Sequence, residues 1–233
     1  MIRMLWPIIF LFAQHAVAAP EPVGQVAYMS GVLTAQQPGG NIRVLAPKSD
    51  VFSEDTLRSE DDTFGLVKFT DGGKVTLRPN SVLSIRQYMF DKGKPANDNV
   101  VFDLVKGGMR SVSGLIGKRG DHDAYKIKTV TATIGIRGSD GDTMDCVSSS
   151  GGLCANVAQG VYHATYRGAY IMYNEKGSQL VNAGEFGYVK DQFSPPVLLP
   201  RDPGFSTVPI PPAAVTANPQ DAKPSGGGQC VIK

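Results

Sequence analysis

An all-β fold is the architecture this sequence predicts, and three observations predict it. Short apolar runs alternating with polar residues recur about every 10 to 15 residues between Val23 and Val189. Their joints are rich in glycine, asparagine and aspartate, which supply turn conformations. Outside the N-terminus, no stretch repeats its apolar residues with the 3.6-residue period of an amphipathic helix. The chain holds 27 glycines and 16 prolines in 233 residues, a composition that disfavours long helices. The expectation is a single domain of many short strands, built as a β-roll, a sandwich or a short β-solenoid, with a disordered Pro-rich C-terminal tail.

Residues 1–19 read as an export signal. Arg3 supplies the positive charge, Met4 to Ala13 the apolar run, and Ala16-Val17-Ala18 the small residues a signal peptidase needs. That run is too short to cross ~30 Å of hydrocarbon, and no later run reaches 18 apolar residues, so no transmembrane anchor is expected. After the short linker Pro20 to Pro22, the clearest unit is a hairpin. Phe64 to Thr70 leads through Asp71-Gly72-Gly73 into Lys74 to Leu77. Val67, Phe69, Val75 and Leu77 share one face; Lys68, Thr70, Lys74 and Thr76 share the other. Pro79-Asn80 ends the second strand, and Val82 to Tyr88 begins another. Val100 to Val105 reads as a strand that turns at Gly107-Gly108 before Met109 to Val112. Tyr125 to Lys128 alternates, Thr129 to Ile136 is rich in β-branched residues, and Val161 to Tyr173 alternates around Gly168. Residues 141–193 therefore read as a β extension completing the same folded unit, ending with Gln179 to Val189.

From 194 to 233 the composition changes. Nine of the 16 prolines fall there, followed by Gly226-Gly227-Gly228. Such a segment buries too little apolar surface to offset its ordering entropy, so it reads as disordered or polyproline-like, although Val197-Leu198-Leu199 could dock. Of the three cysteines, Cys146 and Cys154 could close a small loop in an oxidising compartment, leaving Cys230 over. A cytosolic location would leave all three reduced.

A net charge of +2 gives no polybasic footprint, so nucleic acid is not an expected partner. The stretch Gly114 to Gly120 has the wrong spacing for a phosphate loop, and Arg119 stands where a hydroxyl is needed. Asp140, Asp142 and Asp145 fall within six residues but lack the calcium-loop pattern, and read as a polar turn. His122 and His163 are the only histidines after the signal. The first sits in a turn composition, the second in a strand pattern as a surface or cross-strand residue. There is no nucleophile elbow, no zinc-like Cys/His spacing and no marked carboxylate pair, so no catalytic residue, metal or cofactor is expected. The basic residues set among glycines, Arg110, Lys118, Arg119 and Arg137, suit bonds to a carboxylate or polar ligand, or else structural ion pairs with loop acids.

Several segments together resemble the FecR-like domain, the periplasmic part of a ferric-citrate-type regulator. They are Gly24-Gln25-Val26 with Ser30-Gly31, Asp55-Thr56-Leu57-Arg58, and Phe69-Thr70-Asp71-Gly72-Gly73 with Leu77-Arg78-Pro79-Asn80-Ser81. Leu104 to Arg110, Gly114 to Arg119 and Thr131 to Gly138 follow. The resemblance spans residues 23–140 and implies an all-β, extracytoplasmic domain without catalytic machinery. The chain is similar to a stand-alone exported member of that family.

The expected function is thus a periplasmic, non-enzymatic binding module for an envelope protein or polysaccharide, possible in signal sensing. Exposed Tyr162, Tyr166, Tyr170 and Arg137 are its expected anchors, with Arg110, Lys118 and Arg119. The alternatives are an accessory in iron-linked extracytoplasmic signalling, a polysaccharide-acting enzyme, and a structural surface module.

Overall fold

The computed structural model describes residues 20–205, apart from 120, 122 and 150, together with 209–216. The expected signal, residues 1–19, and Cys230 lie outside the described residues, as do the side chains of Arg137 and Leu153. Fifteen strands follow in order: β1 (Pro22–Met29), β2 (Leu33–Gln36), β3 (Arg43–Val44), β4 (Asp50–Phe52), β5 (Thr56–Ser59), β6 (Gly65–Phe69), β7 (Lys74–Leu77) and β8 (Val82–Met89). Then come β9 (Asn99–Val112), β10 (Tyr125–Lys128), β11 (Thr133–Asp145), β12 (Val161–Asn174), β13 (Gly177–Asn182), β14 (Phe186–Val189) and β15 (Val197–Leu199). One helical turn, α1 (Ala213–Thr216), closes the described chain.

All fifteen strands belong to one hydrogen-bonded sheet. The sheet doubles over because its three longest strands each serve two layers. The first half of β9 lies between β8 and β10; its second half lies between β7 and β11. β11 passes from β10 to β9 in the same way, and β12 from β14 to β13. The first layer thus runs β3-β2-β5-β8-β9-β10-β11-β12-β13, and the second β4-β1-β6-β7-β9-β11-β12-β14-β15. Val67, Val75 and Leu77 of the second layer pack with Leu83, Ile85, Phe102 and Ile134 of the first in the main core. Among the described residues only β9 and β10 pair in parallel, so these strands form a folded-over sandwich and not a solenoid of stacked parallel coils.

The bends fall at glycines. Gly107 on β9, Gly138 on β11 and Gly168 on β12 have φ of +80°, +68° and +71°. These left-handed conformations insert bulges that swing each strand from one layer to the next. A Cβ at Gly168 would lie 2.7 Å from the Gly138 carbonyl oxygen, so the two bends can approach only without side chains. Gly107-Gly108 is therefore a bend inside a 14-residue strand, where the sequence suggested a turn between two.

The hairpin read at 64–77 forms with Val67 opposite Val75 and Gly65 opposite Leu77. Two other expectations are corrected. Asp140 to Asp145 is not a polar turn but the second half of β11, and its three aspartates are buried. The Pro-rich segment is not unordered from Ser194 onward. β15 extends the sheet beside β14, Phe205 is buried in a second apolar cluster with Met144, Tyr162 and Ala164, and α1 docks on the second layer. The Thr76 hydroxyl donates to the Ala214 carbonyl at 2.5 Å, and Lys74 Nζ donates to the Val215 carbonyl at 3.4 Å. The turn docks because the Ala214 and Val215 carbonyls take donors from the sheet face, while the carbonyls of Pro211 and Pro212 accept the turn's own amides.

Candidate functional site

The outward face of the second layer carries a row of residues paired across four strands. Thr76 on β7 faces Arg110 on β9, which faces Asp142 on β11, which faces Ala164 on β12. The ends of this row are covered, Thr76 by α1 and Ala164 by the Phe205 cluster. Between them lies a network of charged and aromatic side chains. Arg78, just past β7, donates from Nη2 to Asp142 Oδ2 at 2.6 Å, and the Tyr166 hydroxyl donates to the same oxygen at 3.0 Å. Arg110 grips Asp140 with two parallel bonds, Nε to Oδ1 at 2.9 Å and Nη2 to Oδ2 at 3.0 Å. Its guanidinium carbon sits 4.5 Å from the centre of the Tyr166 ring. Arg167 Nη2 approaches Asp140 Oδ2 at 3.6 Å.

Burial sets Arg78 and both aspartates beneath Arg110 and Arg167. Asp142 and Asp140 keep 1% and 10% of their side-chain exposure, and Arg78 keeps 4%. Arg110 keeps 23% and Arg167 keeps 76%. The carboxylates thus lie beneath, while two of the three guanidinium groups reach solvent. Burial alone would lower the Arg110 pKa, but the bond to Asp140 and the charges of Asp140 and Asp142 raise it overall. Burial and then the Asp142 charge push the Tyr166 hydroxyl well above its ordinary range, so it serves as a donor.

Behind the network, on the inner face, His163 is fully buried. Its Nδ1 is 3.0 Å from the Thr143 hydroxyl, and its ring lies 4.1 Å from that of Tyr170. Burial lowers its pKa to about 3, so it is neutral at physiological pH. Beside Arg78, a cleft of about 330 Å³ opens below the loop closed by the Cys146–Cys154 disulfide. Lys106, Ser148 and Ser149 line it, and the Gly107 amide donates to Ser149 Oγ at 2.8 Å.

The residues singled out from sequence are scattered. Arg110 and Tyr166 meet in the network. Arg119 lies toward the other end of β9, clamping the loop before it. Its Nε bonds Asp98 Oδ2 at 3.0 Å, its Nη2 and Nη1 bond the carbonyls of Asp91 and Lys92 at 2.7 and 3.0 Å, and its guanidinium covers the Phe90 ring. Lys118 is exposed on the neighbouring 3-10 turn Ile116–Lys118. Arg137 pairs with Ala169 through the β11–β12 ladder. Tyr162 and Tyr170 are not exposed anchors. Both are buried, Tyr162 against Tyr188 and Tyr170 against Ser111, because their hydroxyls find acceptors inside. Sequence reasoning missed Arg78, Asp140, Asp142 and Arg167. The available signal was the spacing of Asp140 and Asp142, two residues apart, which places both on one strand face.

The family model described as FecR protein matches residues 55–161, which include Arg78, Arg110, Asp140 and Asp142. The segments at residues 24–31 that resemble the family lie outside that match. The chain is also similar to two crystal structures of a candidate anti-sigma factor from Parabacteroides distasonis ATCC 8503. Identities are 12% and 11% and TM-scores 0.48 and 0.47, over 65% of this chain and 62% of each of those. The chain therefore spans less than two thirds of their length. No curated protein matches the chain significantly. The stretch 55–161, from the residue before β5 to the first residue of β12, thus matches the FecR family model.

Proposed function

We propose that this chain is an exported, non-enzymatic FecR-type module that binds a partner protein at the cell envelope as part of signal sensing. The match of the FecR model to the stretch that builds both layers carries the reading. The chemistry of the side chains supports it. The most buried carboxylates of the site are bound to arginines, Tyr166 is held protonated, and His163 is held neutral away from solvent. A site for acid–base work needs a group poised near its operating pH and open to substrate. No helix among the described residues is long and apolar enough to cross a membrane.

The test is cross-linking mass spectrometry on cells making the tagged full chain. The expected result is a processed protein in the envelope fraction, cross-linked chiefly to one envelope protein. An unprocessed cytoplasmic product, or cross-links with no dominant protein, would overturn the reading. Binding to envelope polysaccharide in place of protein would replace the partner class.

A further inference from the structure

Resting on that reading, we infer that the bent corner presenting Tyr166, Arg167 and Arg110 is the docking surface, and that its occupant is an acidic segment of the partner protein. The corner presents its side chains to solvent. β12 pairs with β14 through Val161 to Ala164 and with β13 from Ala169 onward; between them the turn at residues 183–185 bonds the backbone of Thr165 and Gly168 and leaves the side chains of Tyr166 and Arg167 outside. Tyr166, Arg167 and Gly168 are exposed there, between the Phe205 cluster and α1.

Charge complementarity selects the occupant. The face shows a partner the outer groups and hides the inner ones. Arg167 is 76% exposed, whereas Asp140 and Asp142 beneath it are 10% and 1% exposed. Asp140 takes Nε and Nη2 of Arg110, holding that guanidinium flat on the Tyr166 ring. Arg167 reaches Asp140 only at 3.6 Å, outside hydrogen-bond distance, so its donors are turned to solvent at little cost. Counting the charges gives three arginines, Arg78, Arg110 and Arg167, against two aspartates, Asp140 and Asp142. Glu185 of the adjoining turn balances that count, but its carboxylate faces the Asn182 amides, so the charge standing out to solvent at the corner is that of Arg167. A carboxylate arriving from outside meets the exposed Arg167 guanidinium beside the Tyr166 ring and the edge of Arg110, the residue types that dominate protein interfaces.

The test measures fluorescence anisotropy of a labelled 12-residue Asp/Glu peptide with the full chain, against a Lys peptide of equal length. The acidic peptide is expected to bind at least tenfold more tightly, and more weakly as salt rises. Arg167→Glu, an exposed change that leaves the circular-dichroism spectrum intact, should weaken binding at least tenfold, while Arg167→Lys retains most of it. Equal binding of both peptides, or an unchanged affinity in Arg167→Glu, would overturn the inference. Cross-linking separates it from the broader reading. If wild type and Arg167→Glu recover the same envelope protein equally, the docking surface is wrong and the functional reading stands. If wild type recovers none, the functional reading falls.

Discussion

Asp142 receives a guanidinium and a phenol on one oxygen, at 2.6 and 3.0 Å, in a position with 1% exposure. A buried pair of this kind contributes little relative to a well-packed apolar pair, but removing one partner is costly because the other charge stays inside. Asp142→Asn is expected to destabilise the fold by about 3–5 kcal/mol. The double change Arg78→Met, Asp142→Leu should cost less than Asp142→Asn alone. Urea denaturation of the three proteins checks the order, and a double variant weaker than the single would show that the ions also fix the strand register. His163 makes a second prediction at this scale. Its pKa is about 3 in the fold against about 6.5 in an open chain, so between those values the unfolded state binds the extra proton. Stability conferred by the neutral ring is therefore complete above pH 6.5 and lost as pH falls toward 3. Moving from pH 7 to pH 4 should cost about 3 kcal/mol through this residue. His163→Phe should flatten that part of the pH profile relative to wild type, and parallel profiles would refute the assignment.

Among elements, β9, β11 and β12 carry the fold, since each spans both layers and each bends at a left-handed glycine. The alternation of apolar residues makes such strands visible in sequence, but a bend and a turn look alike there: both appear as glycine between two apolar runs. Register decides between them, and register depends on the neighbouring strands. The loop after β11 is held differently, by the Cys146–Cys154 disulfide beneath Phe205. Closing a loop this short removes enough disorder from the unfolded chain to contribute about 2–3 kcal/mol. Reduction, or Cys146→Ser with Cys154→Ser, should lower the urea midpoint accordingly. A midpoint indifferent to reductant would mean that the packing of Phe205 and Tyr162 holds the loop without the bond.

For the whole molecule, the C-terminal segment matters most. It leaves the sheet at β15, inserts Phe205 into the second cluster, and returns α1 to β7, covering both ends of the outward face. Composition pointed to disorder because prolines disfavour regular structure and the segment has little apolar surface of its own. The docking instead uses surface supplied by the sheet, which composition of the segment cannot reveal. The export reading makes a prediction at the same scale. Trp6 is the only tryptophan, and it lies within residues 1–19. Protein recovered from the envelope should therefore show tyrosine emission only, with its N-terminus at or next to Pro20. Indole emission from that material would refute processing.

The all-β class, the hairpin between Phe64 and Leu77 with its two faces, and the resemblance to FecR were legible in the sequence alone, because alternation, turn residues and motif order are local properties. The sequence also offered Cys146 and Cys154 as a pair that could close a small loop, and the fold sets them 5.2 Å apart at Cα. The roles of Asp140, Asp142 and Arg78 come from packing between distant strands. An aspartate in a polar stretch reads as loop until a partner 64 residues away in the chain supplies its counter-charge, and no local pattern records that pairing. Burial likewise sorted the tyrosines, leaving Tyr166 at the corner and withdrawing Tyr162 and Tyr170 into the two cores.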